Sequence, residues 1–161
     1  AVRLEGLVYS FIGVMPQNWE ALEVWNSLGN LPQTLLQRAE GNEELNSYTG
    51  LYRAVDVAFP GIRYGQFTTT ADAVQIGFFE IAGGNIVDWS NYATLNLDDL
   101  ERDLVDFSVY VAPGSQHAIM SSEALYTLQF EGISYLDWLD QLLSNSTPLD
   151  LRCAHGWNDC L

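Results

Sequence analysis

Lysine is absent from this 161-residue chain, and its six cations, all arginines, face 21 aspartates and glutamates. The net charge of −15 repels phosphate backbones, so nucleic acid is not an expected partner, and an anionic membrane surface is equally disfavoured. Long apolar runs are missing too. The longest, Leu7 to Met15, is broken by Tyr9, Ser10 and Gly13 and falls short of the roughly 18 residues that span a bilayer. No Asp-x-Asp-x-Asp-Gly loop occurs, so the acidity reads as a solvated surface rather than a calcium site. Cysteine is scarce: Cys153 and Cys160 lie close together in Arg-Cys-Ala-His-Gly-Trp-Asn-Asp-Cys. Two readings apply to them. A small disulfide loop would suit an extracellular or other oxidising compartment, whereas a metal site with His155 would leave zinc one ligand short. No metal and no cofactor is therefore expected. A Gly-x-Ser-x-Gly nucleophile elbow is also lacking.

What the chain does have is material for a core. Hydrophobic residues make up 48% and aromatics 12%, enough apolar surface to offset chain entropy in one domain, or a half-domain, over residues 1–161. The sequence begins at Ala1 rather than a methionine, read here as the trace of signal-peptide removal or of internal proteolysis. Asn145-Ser-Thr147 matches a glycosylation sequon, a short triplet followed directly by Pro148.

Strand and helix patterns alternate along the chain. Leu4 to Ile12 predicts a strand, and a helical pattern follows Pro16 with Trp19, Leu22 and Trp25 three apart. A second helix restarts at Asn30-Leu-Pro32 and ends near Gly41. A third runs from Tyr48, with Leu51, Ala54, Val55 and Ala58 on one face, until Pro60-Gly61. Ile62 to Thr68 predicts a strand, Ala73 to Ile81 a buried helix, and Phe107 to Ala112 another strand. Asp98 with Glu101 reads as a capping box opening a helix over Asp99 to Val105. Ser121 to Gln129 reads as helical. Ser134 with Asp137 opens a last helix, with Ile133, Leu136, Leu139 and Leu143 at helical spacing and Trp138 and Leu142 extending that face. This order predicts an α/β fold: a mainly parallel sheet with flanking helices.

In open α/β sheets the working residues lie beyond the carboxyl ends of the strands. Two segments 45 positions apart put polar residues there: Thr68-Thr-Thr-Ala-Asp72-Ala-Val-Gln75 and Pro113-Gly-Ser-Gln-His117. An acid leaving one strand and a histidine leaving the next are the second and third members, in chain order, of an α/β-hydrolase triad. The histidine moves the nucleophile's proton, and a buried carboxylate orients the imidazole. A plainer reading makes Asp72 an ordinary N-cap and His117 a loop histidine bonded to backbone. Ser10, Ser27 and Ser47 precede Asp72 without elbow glycines, and Ser115 sits in a loop without strand-to-helix geometry, so the nucleophile is not expected in this chain. Paired carboxylates such as Asp98 and Asp99 cannot flank a glycosidic bond and read as helix-start charges. The tryptophans Trp19, Trp25, Trp89 and Trp138 read as core rather than sugar platforms.

Asp72-Ala-Val-Gln75, then Gly114-Ser-Gln-His117-Ala-Ile, then Tyr126-Thr and Gly132-Ile-Ser-Tyr-Leu-Asp-Trp138-Leu, resemble the C-terminal half of the pectin acetylesterase-like hydrolases, the group that includes the Notum-type carboxylesterases. The resemblance spans roughly residues 62–143. It implies the C-terminal portion of an α/β-hydrolase-like fold, with Asp72 as triad acid, His117 as triad base and Gln75 as a supporting residue. It further implies a secreted serine ester hydrolase whose nucleophile and oxyanion hole lie outside this chain, and acetylated polysaccharide as the substrate class. An N-terminal half or another protein subunit would then be the partner. The alternative is a non-catalytic structural or interaction subunit that keeps a hydrolase scaffold.

Overall fold

The computed structural model describes residues 6–9, 28–37, 48–144, 146 and 149–153. The fold is mixed α/β, and three parallel strands form its centre in the order β1 (Gly6–Tyr9), β2 (Arg63–Thr69), β3 (Phe107–Ala112). β2 lies in register with both neighbours, from Gly6↔Arg63 to Tyr9↔Gln66 and from Tyr64↔Phe107 to Thr69↔Ala112. Parallel strands need long crossovers, and the helices supply them. A short α1 (Gln33–Leu36) and α2 (Tyr48–Ala58) lie between β1 and β2. Between β2 and β3 come α3 (Ala73–Ile81) and α4 (Trp89–Asp103). After β3 follow α5 (Ala124–Thr127), the hairpin of β4 (Gln129–Phe130) and β5 (Ile133–Ser134), and α6 (Tyr135–Leu143).

β2 and β3 are buried on both faces; β3 reads as a near-continuous apolar run, whereas β2 carries the buried polar residues Gln66, Thr68 and Thr69. Side chains alternate between the two faces. Tyr64, Phe107, Val109 and Val111 pack with Phe79, Trp89, Ala93, Leu97 and Leu100 in a core on the α3–α4 side. Phe67, Tyr110 and Ala112 pack with Ile119, Tyr135, Trp138, Leu142 and Leu151 on the α6 side. The second core is aromatic and polar-tipped. Tyr110 donates to the Ile133 carbonyl at 2.8 Å and Trp138 to the Leu149 carbonyl at 2.9 Å. Burial pushes the phenols of Tyr110 and Tyr135 up to about 12.

Two devices tie the ends of these elements down. Arg63, at the start of β2, donates to the carbonyl of Leu142 at 2.9 Å and to those of Ser144 and Ser146, placing a cation where α6 leaves its last carbonyls exposed. On the outer edge of β3, Leu151 forms a parallel bridge with Tyr110, and Asp150 accepts from the Val109 amide at 2.9 Å. That edge is therefore covered rather than open to another chain. α3 ends in a Schellman turn: the Gly83 amide reaches the Glu80 carbonyl and the Gly84 amide that of Phe79, both at 2.9 Å. Gly83 takes φ +90°, and a Cβ on Gly84 would meet the Phe79 ring at 2.4 Å. Both positions require glycine.

Several predicted boundaries hold and others move. The strand over Phe107 to Ala112 and the helix over Ala73 to Ile81 stand as predicted, β2 is shifted by one residue, and α2 starts at Tyr48 as its pattern implies. The capping box at Asp98 does not exist. α4 begins ten residues earlier, at Trp89, because Trp89, Ala93, Leu97 and Leu100 form one buried stripe. Asp98 and Glu101 lie on its solvent side and share Arg152, at 2.7 and 2.8 Å. Asp98 and Asp99 are thus mid-helix charges, Asp99 pairing with Arg102. The predicted helix over 121–129 contracts to a 3-10 turn (Ile119–Ser121), α5 and β4. α6 buries Tyr135, Trp138 and Leu142, while Leu136 and Leu143 face outward. Trp89 and Trp138 are core residues, as read from spacing. The helix after Pro16, Trp19, Trp25 and Asn145 lie outside the described residues.

Asp103 closes the C-terminal end of α4 by accepting from Arg102 Nε at 2.9 Å and from Arg53 Nε of α2 at 2.7 Å. The Arg102 bond foremost, then Arg53, holds its carboxyl below the ordinary range, against some desolvation. Because the folded-state value lies below the unfolded one, the stabilisation is complete above the unfolded carboxylate's titration and is lost as pH falls through the folded value. D103N is expected to cost about 0.5–1 kcal/mol at pH 7. In urea melts that deficit should shrink as the pH falls below the ordinary carboxylate range. A deficit unchanged by acid would show that the ion pairs are not its source.

Candidate active site

The parallel register of β2 and β3 brings their carboxyl ends side by side, and the backbone continues to link the two exits. The Thr70 amide donates to the Ala112 carbonyl at 3.0 Å, and the Ala71 amide to that of Gly114 at 2.8 Å. Gly114 takes φ +113°, which lets the chain turn after Pro113 and bring residues 115–117 back over the end of β2. Two residues 45 apart in sequence thereby meet: His117 Nδ1 lies 2.8 Å from Asp72 Oδ2. That distance falls within the roughly 2.6–3.2 Å required of an acid–histidine pair.

Asp72 serves two ends at once. It is fully buried, and its carboxylate accepts four hydrogen bonds, two on each oxygen, which is the full capacity of the group. Oδ1 takes the backbone amides of Val74 at 3.0 Å and Gln75 at 3.1 Å, capping α3. Oδ2 takes Gln75 Nε2 at 2.7 Å and His117 at 2.8 Å. The N-cap reading is met by Oδ1, while Oδ2 of the same side chain meets His117. A buried charge without such partners would be prohibitive. The first turn of α3 adds the positive end of the helix dipole.

His117 sits between protein and solvent, with its side chain 34% exposed against 0% for Asp72. An ionised carboxylate can only accept, so opposite it His117 carries its ring proton on Nδ1. Nε2 is then the ring nitrogen left to accept a proton. Among the described residues no group hydrogen-bonds Nε2. Ser121 and Ser122 donate to the Ala118 and Ile119 carbonyls, and Ser115 is exposed. Ser10, Ser27 and Ser47 lie outside the described residues.

Gln75, read from sequence as a supporting residue, touches the acid directly. Its Nε2 bridges Asp72 Oδ2 and Thr68 Oγ1, the latter at 2.8 Å. Two residues went unread in the sequence: Thr68, and Thr69, whose Oγ1 donates to the Gln116 carbonyl at 2.9 Å. Both are fully buried. The available signal was the run of three threonines directly before the acid, which strand propensity alone had absorbed. Thr70 follows them with a buried hydroxyl that has no partner among the described residues. Cys153 is buried and is not a free thiol, while His155 and Cys160 lie outside the described residues.

D72N separates the two tasks of the acid. The carboxamide keeps an oxygen for the α3 cap but turns an NH2 toward His117, so the imidazole proton should move from Nδ1 to Nε2. Imidazole nitrogen NMR reads that switch, and far-UV circular dichroism should show the helices retained. D72A should additionally lose the cap, at a cost of about 1 kcal/mol. Persistence of the Nδ1–H form in D72N would refute the assignment. No family model matches the chain, no curated protein is similar to it, and no solved structure matches its fold.

Proposed function

We propose that this chain is the C-terminal part of a secreted serine ester hydrolase, supplying the acid and histidine of a triad to a nucleophile outside it. The observation that carries the reading is the 2.8 Å bond from His117 to a fully buried carboxylate, at the carboxyl ends of adjacent parallel strands. The order acid then histidine, and the resemblance of the flanking segments to pectin acetylesterase-like hydrolases, support it further. In this reading an α/β-hydrolase-like fold is completed by an N-terminal half or another subunit.

The chemistry is acyl transfer. A serine hydroxyl on the partner attacks the ester carbonyl while His117 Nε2 takes its proton, forming the acyl-enzyme through a tetrahedral intermediate. The imidazolium returns the proton to the departing alkoxide, so an alcohol leaves. Water then attacks the acyl-enzyme by the same proton path and releases the acid. Asp72 stays ionised throughout, fixing the tautomer and stabilising the imidazolium. Oxyanion donors come from the partner. Acetylated polysaccharide is the substrate class that the resemblance suggests.

Native material purified through this chain should contain a second segment with a serine elbow, and a labelled fluorophosphonate should modify that serine. H117A in the complex should slow esterase turnover by about 10⁴-fold or more, whereas the chain alone should neither label nor turn over. A homogeneous assembly of 18.0 kDa chains without a reactive serine would overturn the reading and leave a non-catalytic subunit.

A further inference from the structure

We propose that Thr68 and Thr69 are positioning residues for the dyad, Thr68 acting on the acid and Thr69 on the base. They are consecutive on β2, so their side chains leave opposite faces of the sheet. Thr68 shares the face of Tyr64, against which α3 packs, and Thr69 shares the face of Phe67. One strand end thus holds both halves of the pair.

Toward α3, Thr68 Oγ1 accepts from Gln75 Nε2 at 2.8 Å while the same nitrogen donates to Asp72 Oδ2 at 2.7 Å. A primary amide has two N–H donors on one nitrogen and an oxygen on the other arm. Thr68 occupies the second donor and so fixes which arm of Gln75 meets the carboxylate. Without that acceptor one N–H of the amide loses its buried partner, which weakens the hold on the nitrogen that meets Oδ2 beside His117. On the other face, Thr69 Oγ1 donates to the carbonyl of Gln116, the residue that precedes His117. That bond, with the Ala71–Gly114 backbone bond, holds the histidine loop against the strand that carries the acid. Both threonines are fully buried, and each acts through another residue. Thr70 supplies an internal control, being the same residue type at the next position with no hydrogen-bond partner for its hydroxyl among the described residues.

Their catalytic role rests on the hydrolase reading; their control of His117 does not, and it is read on the imidazole itself. The sequence contains two histidines, so H155Q in the full chain leaves His117 as the sole imidazole. With nitrogen-15 labelling, T68V and T69V should each speed exchange of the His117 Nδ1 proton roughly threefold to tenfold, the range one hydrogen bond supports. T68S and T69S should restore the reference rate, and T70V should leave it unchanged. T68A and T69A replace any valine variant whose spectrum loses its dispersion. Reference rates in the hydroxyl-free variants, or serine variants as fast as the valine ones, would overturn the proposal. If the hydroxyls control His117 but no partner serine reacts with fluorophosphonate, the hydrolase reading alone fails.

Discussion

Six residues of β2 lie in parallel register with six of β3, and from that pairing follow the two cores, the site and the crossover through α3 and α4. A parallel pair cannot close through a tight turn, so the chain must leave one strand, cross by α3 and α4, and return at the same end. The consequence is that both strand exits open on one side of the sheet. A slip of one residue would turn Thr68 and Thr69 to the wrong faces and exchange the apolar sets of both cores. The apolar alternation of Phe107, Val109 and Val111 against Tyr110 and Ala112 makes such a slip costly. Packing energy thereby guards a polar site that contributes little to it.

Burying Asp72 is the least favourable element of this arrangement, and its surroundings offset it completely. Four donors saturate the carboxylate, two from the first turn of α3, one from the Gln75 side chain and one from His117. Three of them lie within three residues of the acid and form with the helix itself. Only His117 comes from afar. Three of the four partners of the carboxylate are thus local to the helix it caps, and the histidine adds the distant one.

Much of this was legible in the residues. The strand over Phe107–Ala112 and the helix over Ala73–Ile81 appear in β-branched and apolar runs bounded by glycine and proline. Asp72 and His117 could be singled out because strand exits are the working positions of α/β sheets, while Gln75 was named only through the resemblance. Errors arose where a local pattern competed with burial. Asp98 and Glu101 have capping-box spacing, yet the buried stripe starting at Trp89 decides where α4 begins. Leu136 and Leu143 match helical spacing, but the bulk of Tyr135 and Trp138 turns α6 so that those two face outward.

By itself, the amino-acid order determined the α/β alternation, the residue types at the two exits and the absence of a nucleophile elbow, because each is encoded within a short window. Only the tertiary structure decided that His117 reaches Asp72, that one oxygen caps α3 while the other meets His117, and that Thr68 and Thr69 bond Gln75 and Gln116. Those facts depend on hydrogen bonds over 7, 45 and 47 positions. Partners so far apart are chosen by strand register and face, quantities that exist only once the sheet has formed.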